Sequence, residues 1–139
     1  MSTPPASRTV QLAPEVEADL AERARELGSG LTPLAERYVT EGLRMDRHPG
    51  IVFREAAGGR RAALAGHRLD VWQIIETVRD SGGDVTEAAD YLGLSSTQMQ
   101  AAIGYYAEFR REIDDWIARN TAAAEAAESA WRRQQVAHN

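Results

Sequence analysis

The amino-acid sequence predicts a mainly α protein in two parts: an N-terminal strand–helix–helix segment, then a small helical domain with a β-hairpin and a long C-terminal helix. Three features carry that reading. Apolar residues recur at i, i+3, i+4 and i+7 over most of the chain, the period of helices with one buried face. Strand-like runs are confined to residues 8–12 and to the two short stretches around Gly58-Gly59. His48-Pro49-Gly50 interrupts the helical pattern between the parts, because Pro and Gly both break helices.

The 139 residues are 43% apolar and 27% charged, a balance that excludes wholesale disorder. Without cysteine there is no disulfide scaffold, thiolate metal site or cysteine nucleophile. No apolar run approaches the roughly 18 residues of a membrane span, and MSTPPASR lacks the apolar core of a signal peptide. A soluble, cytoplasmic protein without membrane association is expected. The three histidines have no Ser–His–Asp context, so neither catalysis nor a cofactor is expected. All sixteen basic residues are Arg, which fits the codon bias of a GC-rich genome and equally fits guanidinium recognition of phosphate or carboxylate. A net charge of −5 argues against nonspecific nucleic-acid binding, yet the charge is segmented. Residues 1–43 carry −3, residues 44–79 carry +3, residues 80–128 carry −7 and residues 129–139 carry +2. Different segments therefore suit different partners.

Residues 1–7 read as a disordered lead. In Arg8-Thr9-Val10-Gln11-Leu12 the apolar side chains share one face and Thr9 and Gln11 the other. Pro14 opens a helix, with Glu15, Glu17 and Asp19 at its positive end and the stripe Val16, Leu20, Ala24 and Leu27; Gly28 and Gly30 stop it. Thr32 and Pro33 read as N-cap and first residue of a second helix, with stripe Leu31, Leu34, Ala35, Tyr38, Val39 and Leu43. So short a segment cannot bury a core alone. Residues 8–45 resemble the ribbon–helix–helix family of bacterial repressors, in which two chains pair their strands and interlock four helices as an intertwined dimer. The resemblance implies DNA readout by the outward strand residues Thr9 and Gln11, since a ribbon fits the major groove and Gln bonds adenine bidentately. Arg8 falls on the inward phase, within reach of a phosphate. The resemblance also implies a backbone phosphate at the Ser29–Pro33 turn, on Ser29, Thr32 and helix N-terminal amides.

After residue 50, Ile51–Ala56 and Arg61–Ala65 flank a Gly58-Gly59 turn and read as a hairpin. Asp70 caps a helix with Val71, Trp72, Ile75 and Val78 inward. Another helix runs from Asp84 to Leu92 and ends at Gly93. Ser95 caps the next, with stripe Met99, Ala102, Ile103, Tyr106 and Phe109, continuing through Ile113, Trp116 and Ile117. Thr86–Ser95 is a helix-turn-helix signature: a small Ala for close packing, Gly93 for the turn, Leu94 for the core. Residues 46–118 resemble domain-of-unknown-function family 433, in the order hairpin, Gly-x-Arg, Val71-Trp72 and helix-turn-helix. Gly66-His67-Arg68 stands where that family usually has Gly-Thr-Arg.

Family 433 domains look like VapB-type antitoxins encoded beside a PIN-like nuclease. Together the two resemblances imply an antitoxin that neutralises a nuclease toxin and represses its own operon, binding operator DNA as a homodimer or higher even oligomer. The alternative is a stand-alone dimeric transcriptional regulator. The second helix-turn-helix offers Ser95, Ser96, Thr97, Gln98 and Gln100, but the acidic Asp84, Glu87 and Asp90 beside them make protein interaction the favoured reading. His48, His67 and Asp70 show no metal-ligand spacing, and Trp72 and Trp116 read as core. Residues 119–139 form an Ala-rich, helix-prone tail that is either frayed on the surface or a partner-binding helix. In the second case Trp131 is its apolar anchor and Arg132 and Arg133 plug the nuclease's carboxylate cluster. Arg60, Arg61 and Arg68, with Arg54, are the next candidates for toxin contact.

Overall fold

Among the described residues, six helices and one hairpin follow each other in the order α1 (Pro14–Leu27), α2 (Leu31–Arg47), β1 (Ile51–Ala56), β2 (Gly59–Leu64), α3 (Val71–Asp80), α4 (Val85–Leu92), α5 (Ser96–Glu108) and α6 (Arg110–Ala137). The protein is mainly α. These elements come from a computed structural model that describes residues 7–138; the lead expected over residues 1–7 lies, Ser7 apart, outside the described residues. The chain divides into two units after Leu43, inside α2 and not at the expected boundary after residue 45. No helix among the described residues is long and apolar enough to cross a membrane.

In the first unit, α1 begins at Pro14, whose missing N–H costs nothing in a first turn. It ends at Gly28 in the left-handed region (φ 64°), where the Gly28 and Ser29 amides donate to the Arg25 and Ala24 carbonyls. Thr32 is not the N-cap of α2. The helix already starts at Leu31, and the Leu34 amide donates to the Gly30 carbonyl, so the Thr32 hydroxyl has no capping role there. Residues 8–12 form no strand, because a strand exists through its ladder and the single chain gives this segment none. The core is small: Leu20, Ala24 and Leu34, with Ala35 against them.

The second unit holds the larger core. Strands β1 and β2 pair antiparallel from Ile51 opposite Leu64 to Ala56 opposite Gly59, so the turn residues are Ala57 and Gly58, one position before the expected Gly58-Gly59. Asp70 precedes α3, where its amide donates to the Gln73 side chain at 2.8 Å. Asp84 caps α4 by accepting from the Glu87 amide at 3.0 Å. Ser95 and Gln98 cap α5 reciprocally, at 3.2 and 2.8 Å. Val71, Ile74, Ile75, Ala88, Leu94, Met99, Ala102 and Ile113 fill the space between hairpin and helices. Two expectations differ here. Tyr105, not Tyr106, is the tyrosine with no solvent exposure. The chain also leaves helical geometry at Phe109 (φ −117°, ψ 47°), so α5 and α6 are separate helices. Phe109 is held there by Tyr105, 4.6 Å between ring centres, and by the Arg44 guanidinium 4.0 Å above its ring. Beyond that break, α6 runs without interruption through the segment read as a separate tail.

Candidate functional site

In the first unit, Arg8, Thr9 and Gln11 are exposed in a stretch without regular structure. Gln11 lies with Val10, Leu12, Glu17 and Leu31 around an open groove of about 410 Å³. Ser29 and Thr32 are also exposed, and the Ser29 hydroxyl donates to the Gly30 carbonyl at 3.1 Å. Most of the apolar stripe faces solvent. Val10 is 80% exposed, Val39 60% and Leu43 58%, and Leu12, Val16, Leu27, Leu31 and Tyr38 are exposed with them.

In the second unit the arginines of the hairpin face are unequal. Arg54 donates to the carbonyls of Leu64 and His67 and so ties the Leu64–His67 loop to β1. Arg60 pairs with Glu55 at 3.6 Å and reaches the Phe53 carbonyl. Arg61 stands 3.4 Å from the Asp70 carboxylate, an ion pair without hydrogen-bond alignment at Nε. Arg68 is exposed. Three of the four thus serve the hairpin's own geometry. On α6, Trp131 is 60% exposed, Arg132 pairs with Glu128 one turn back, and Arg133 is exposed. Trp131, Arg132 and Arg133 are consecutive in α6, so they project about 100° apart around the helix and share no single face, and they lie well apart in sequence from the hairpin arginines.

The side chains weighed for metal or acid–base work are each engaged elsewhere. His48 lies 2.5 Å from Glu108, His67 2.7 Å from the Gln98 amide, and Asp70 accepts from the Trp72 indole at 3.1 Å. Burial, then the neighbouring Arg47 and Arg44, pushes the His48 imidazole below its ordinary range. At the start of α5, Ser95 and Gln98 are spent on the cap while Ser96, Thr97 and Gln100 are exposed. Beside them Asp84, Glu87, Asp90 and the 82%-exposed Tyr91 give α4 an acidic outer face, a poor surface for phosphates.

One arrangement escaped the sequence reading. Trp72 is buried as core, but Trp116 is only partly buried and borders a cleft of about 260 Å³ between the hairpin turn and α6. The guanidiniums of Arg61 and Arg119 lie 5.1 and 4.7 Å from its ring centre, within cation–π range. Helical spacing announces that Trp116 faces inward and sets Arg119 three residues on beside it, but it does not announce Arg61, which comes from β2.

No family model, curated protein or solved structure matches the chain.

Proposed function

We propose that the protein is a dimeric, DNA-binding antitoxin: two copies pair through the first unit to read operator DNA, and the second unit with α6 engages a PIN-like nuclease. The observation that carries the reading is a double deficit in the first unit. Its apolar stripe from Val10 to Leu43 is uncovered, and residues 8–12 have no strand partner. One event repairs both: a second copy supplies the antiparallel strand and covers the stripe. A unit of about 40 residues with no cysteine needs such association to hold a core. The paired ribbon then presents Thr9 and Gln11, with Arg8, Ser29 and Thr32 at the phosphates.

The test is electrophoretic mobility shift with DNA from upstream of the protein's own gene, set against random DNA at fixed salt. Gln11→Ala should weaken the upstream site by about 1–3 kcal/mol and leave random DNA nearly unchanged; equal losses on both rule out base readout by the strand. The partner half is tested by RNA cleavage with the nuclease of the adjacent reading frame. Arg132→Ala with Arg133→Ala should weaken inhibition while DNA binding persists. Inhibition unchanged by truncation after residue 120 moves the contact to residues 46–118. Absence of any such nuclease leaves the stand-alone regulator as the better reading.

A further inference from the structure

The cleft beside Trp116 holds a charge that it does not itself neutralise. Asp70 offsets Arg61, at 3.4 Å, while also accepting the Trp72 indole N–H. Arg119 has no such partner: among the described residues no carboxylate lies within ion-pair distance of it, and its guanidinium rests on the Trp116 ring. The site is built before anything enters. Gly58, whose φ of +89° favours glycine, brings the turn backbone beside the indole, where a Cβ would stand in ordinary van der Waals contact, 3.5 Å from the ring. We propose that this cleft docks one acidic side chain of a protein partner, its carboxylate on Arg119 and its apolar neighbour against Trp116.

Size, chemistry and long-range charge point the same way. About 260 Å³ lies below the roughly 300–1,000 Å³ that encloses a cofactor or drug-sized ligand, and suits a side chain. A guanidinium fork matches a carboxylate through two parallel hydrogen bonds, and Asn120 on the same rim adds an amide donor. Trp and Arg are among the residue types that most often anchor protein interfaces, and here a partly buried Trp116 stands beside an exposed Arg119. A nucleic-acid phosphate would present the same local chemistry, but it arrives on a polyanion. Half of the lining comes from residues 44–79, which carry +3, and half from residues 80–128, which carry −7; the two segments together carry −4 and repel a polyanion more than they repel one carboxylate. The proposal rests on the reading of the second unit as a partner-binding module. Its test needs neither nuclease nor DNA, so the two fail separately.

The experiment follows the indole N–H resonances of Trp72, Trp116 and Trp131 in the ¹⁵N-labelled full chain. The probes are acetyl-Leu-Glu-Leu-amide, its Gln counterpart and inorganic phosphate. The Glu peptide should shift Trp116 saturably, leave Trp131 in place, and bind on the order of fivefold tighter than the Gln peptide. Arg119→Gln, on an exposed helix position, should abolish that preference, whereas Arg132→Gln on the same helix should preserve it. Equal binding of the two peptides, a preference that survives Arg119→Gln, or phosphate saturating Trp116 at lower concentration than the Glu peptide overturns the proposal.

Discussion

Tyr105 carries its hydroxyl to a position with no solvent exposure, and the hydroxyl is satisfied there by charged partners. Arg44 donates to it at 2.9 Å and to Glu112 at 2.7 Å, and the hydroxyl itself donates to Glu112. Burial and then Glu112 push the phenol well above its ordinary range, so it stays a neutral donor. Tyr105→Phe should cost about 1–2 kcal/mol in urea denaturation, because Arg44 and Glu112 keep each other and retain access to water. The sequence could not choose this residue over Tyr106. Both fit a helical stripe from Met99, and the partner that decides, Arg44, is 61 residues away. Tyr106 works at the surface instead, where its hydroxyl donates to Asp114 at 2.8 Å and Arg79 donates to both. The Tyr106 hydrogen bond first, then Arg79, holds the Asp114 carboxyl below its ordinary range. A lowered carboxyl stabilises the fold above its unfolded value of 3.8 and loses that contribution as pH falls through its lower folded value. The melting-temperature gap between the parent and Asp114→Asn should therefore be constant near neutral pH and close below pH 3.8.

At the scale of elements, the turn between α4 and α5 shows what local sequence decides. Gly93 adopts φ 70° and caps α4, and Ser95 with Gln98 caps α5 two residues later. Helix end, turn and helix start are all written within six residues, which is why their boundaries were legible from the sequence alone. A Cβ at Gly93 would meet nothing within 4 Å, so Gly93→Ala carries only the conformational cost of a left-handed residue. That cost is about 1–2 kcal/mol, read as a lower urea midpoint with an unchanged slope. The break at Phe109 was illegible for the opposite reason. Nothing in the local sequence stops a helix there; the ring is fixed by Arg44 and His48, from α2 and the bend that follows it. The cleft beside Trp116 was hidden likewise, being assembled from the hairpin, α3 and α6.

For the whole molecule, the contrast between the two units matters most. Among the described residues, the second unit surrounds a core cluster of thirteen buried residues, and the first has three. Both α1 and α2 are helices, but of their expected stripes only Leu20, Ala24 and Leu34 are buried, and a helical pattern does not say which chain covers the rest. If a second copy does, Val39→Asp, at a position 60% exposed in the single chain, should be far from harmless. Sedimentation should show the parent as a dimer at micromolar concentration and the variant as a monomer, with the parent's melting temperature alone rising with concentration. A parent that sediments as a folded monomer removes the dimer and the ribbon readout with it.

The exposed half of α6 has a consequence for protease sensitivity. From residue 118 to 137 every residue but Ala130 is exposed, so the segment is held by its own backbone and by Ala's helix preference. Trypsin cuts such a helix only in moments when it unwinds. Because every cation in the chain is Arg, the scissile positions there are Arg119, Arg132 and Arg133. The first of these sits on the cleft and the other two do not. The order in which the three bonds are cut thus records whether the cleft is occupied, in one digestion and without any label.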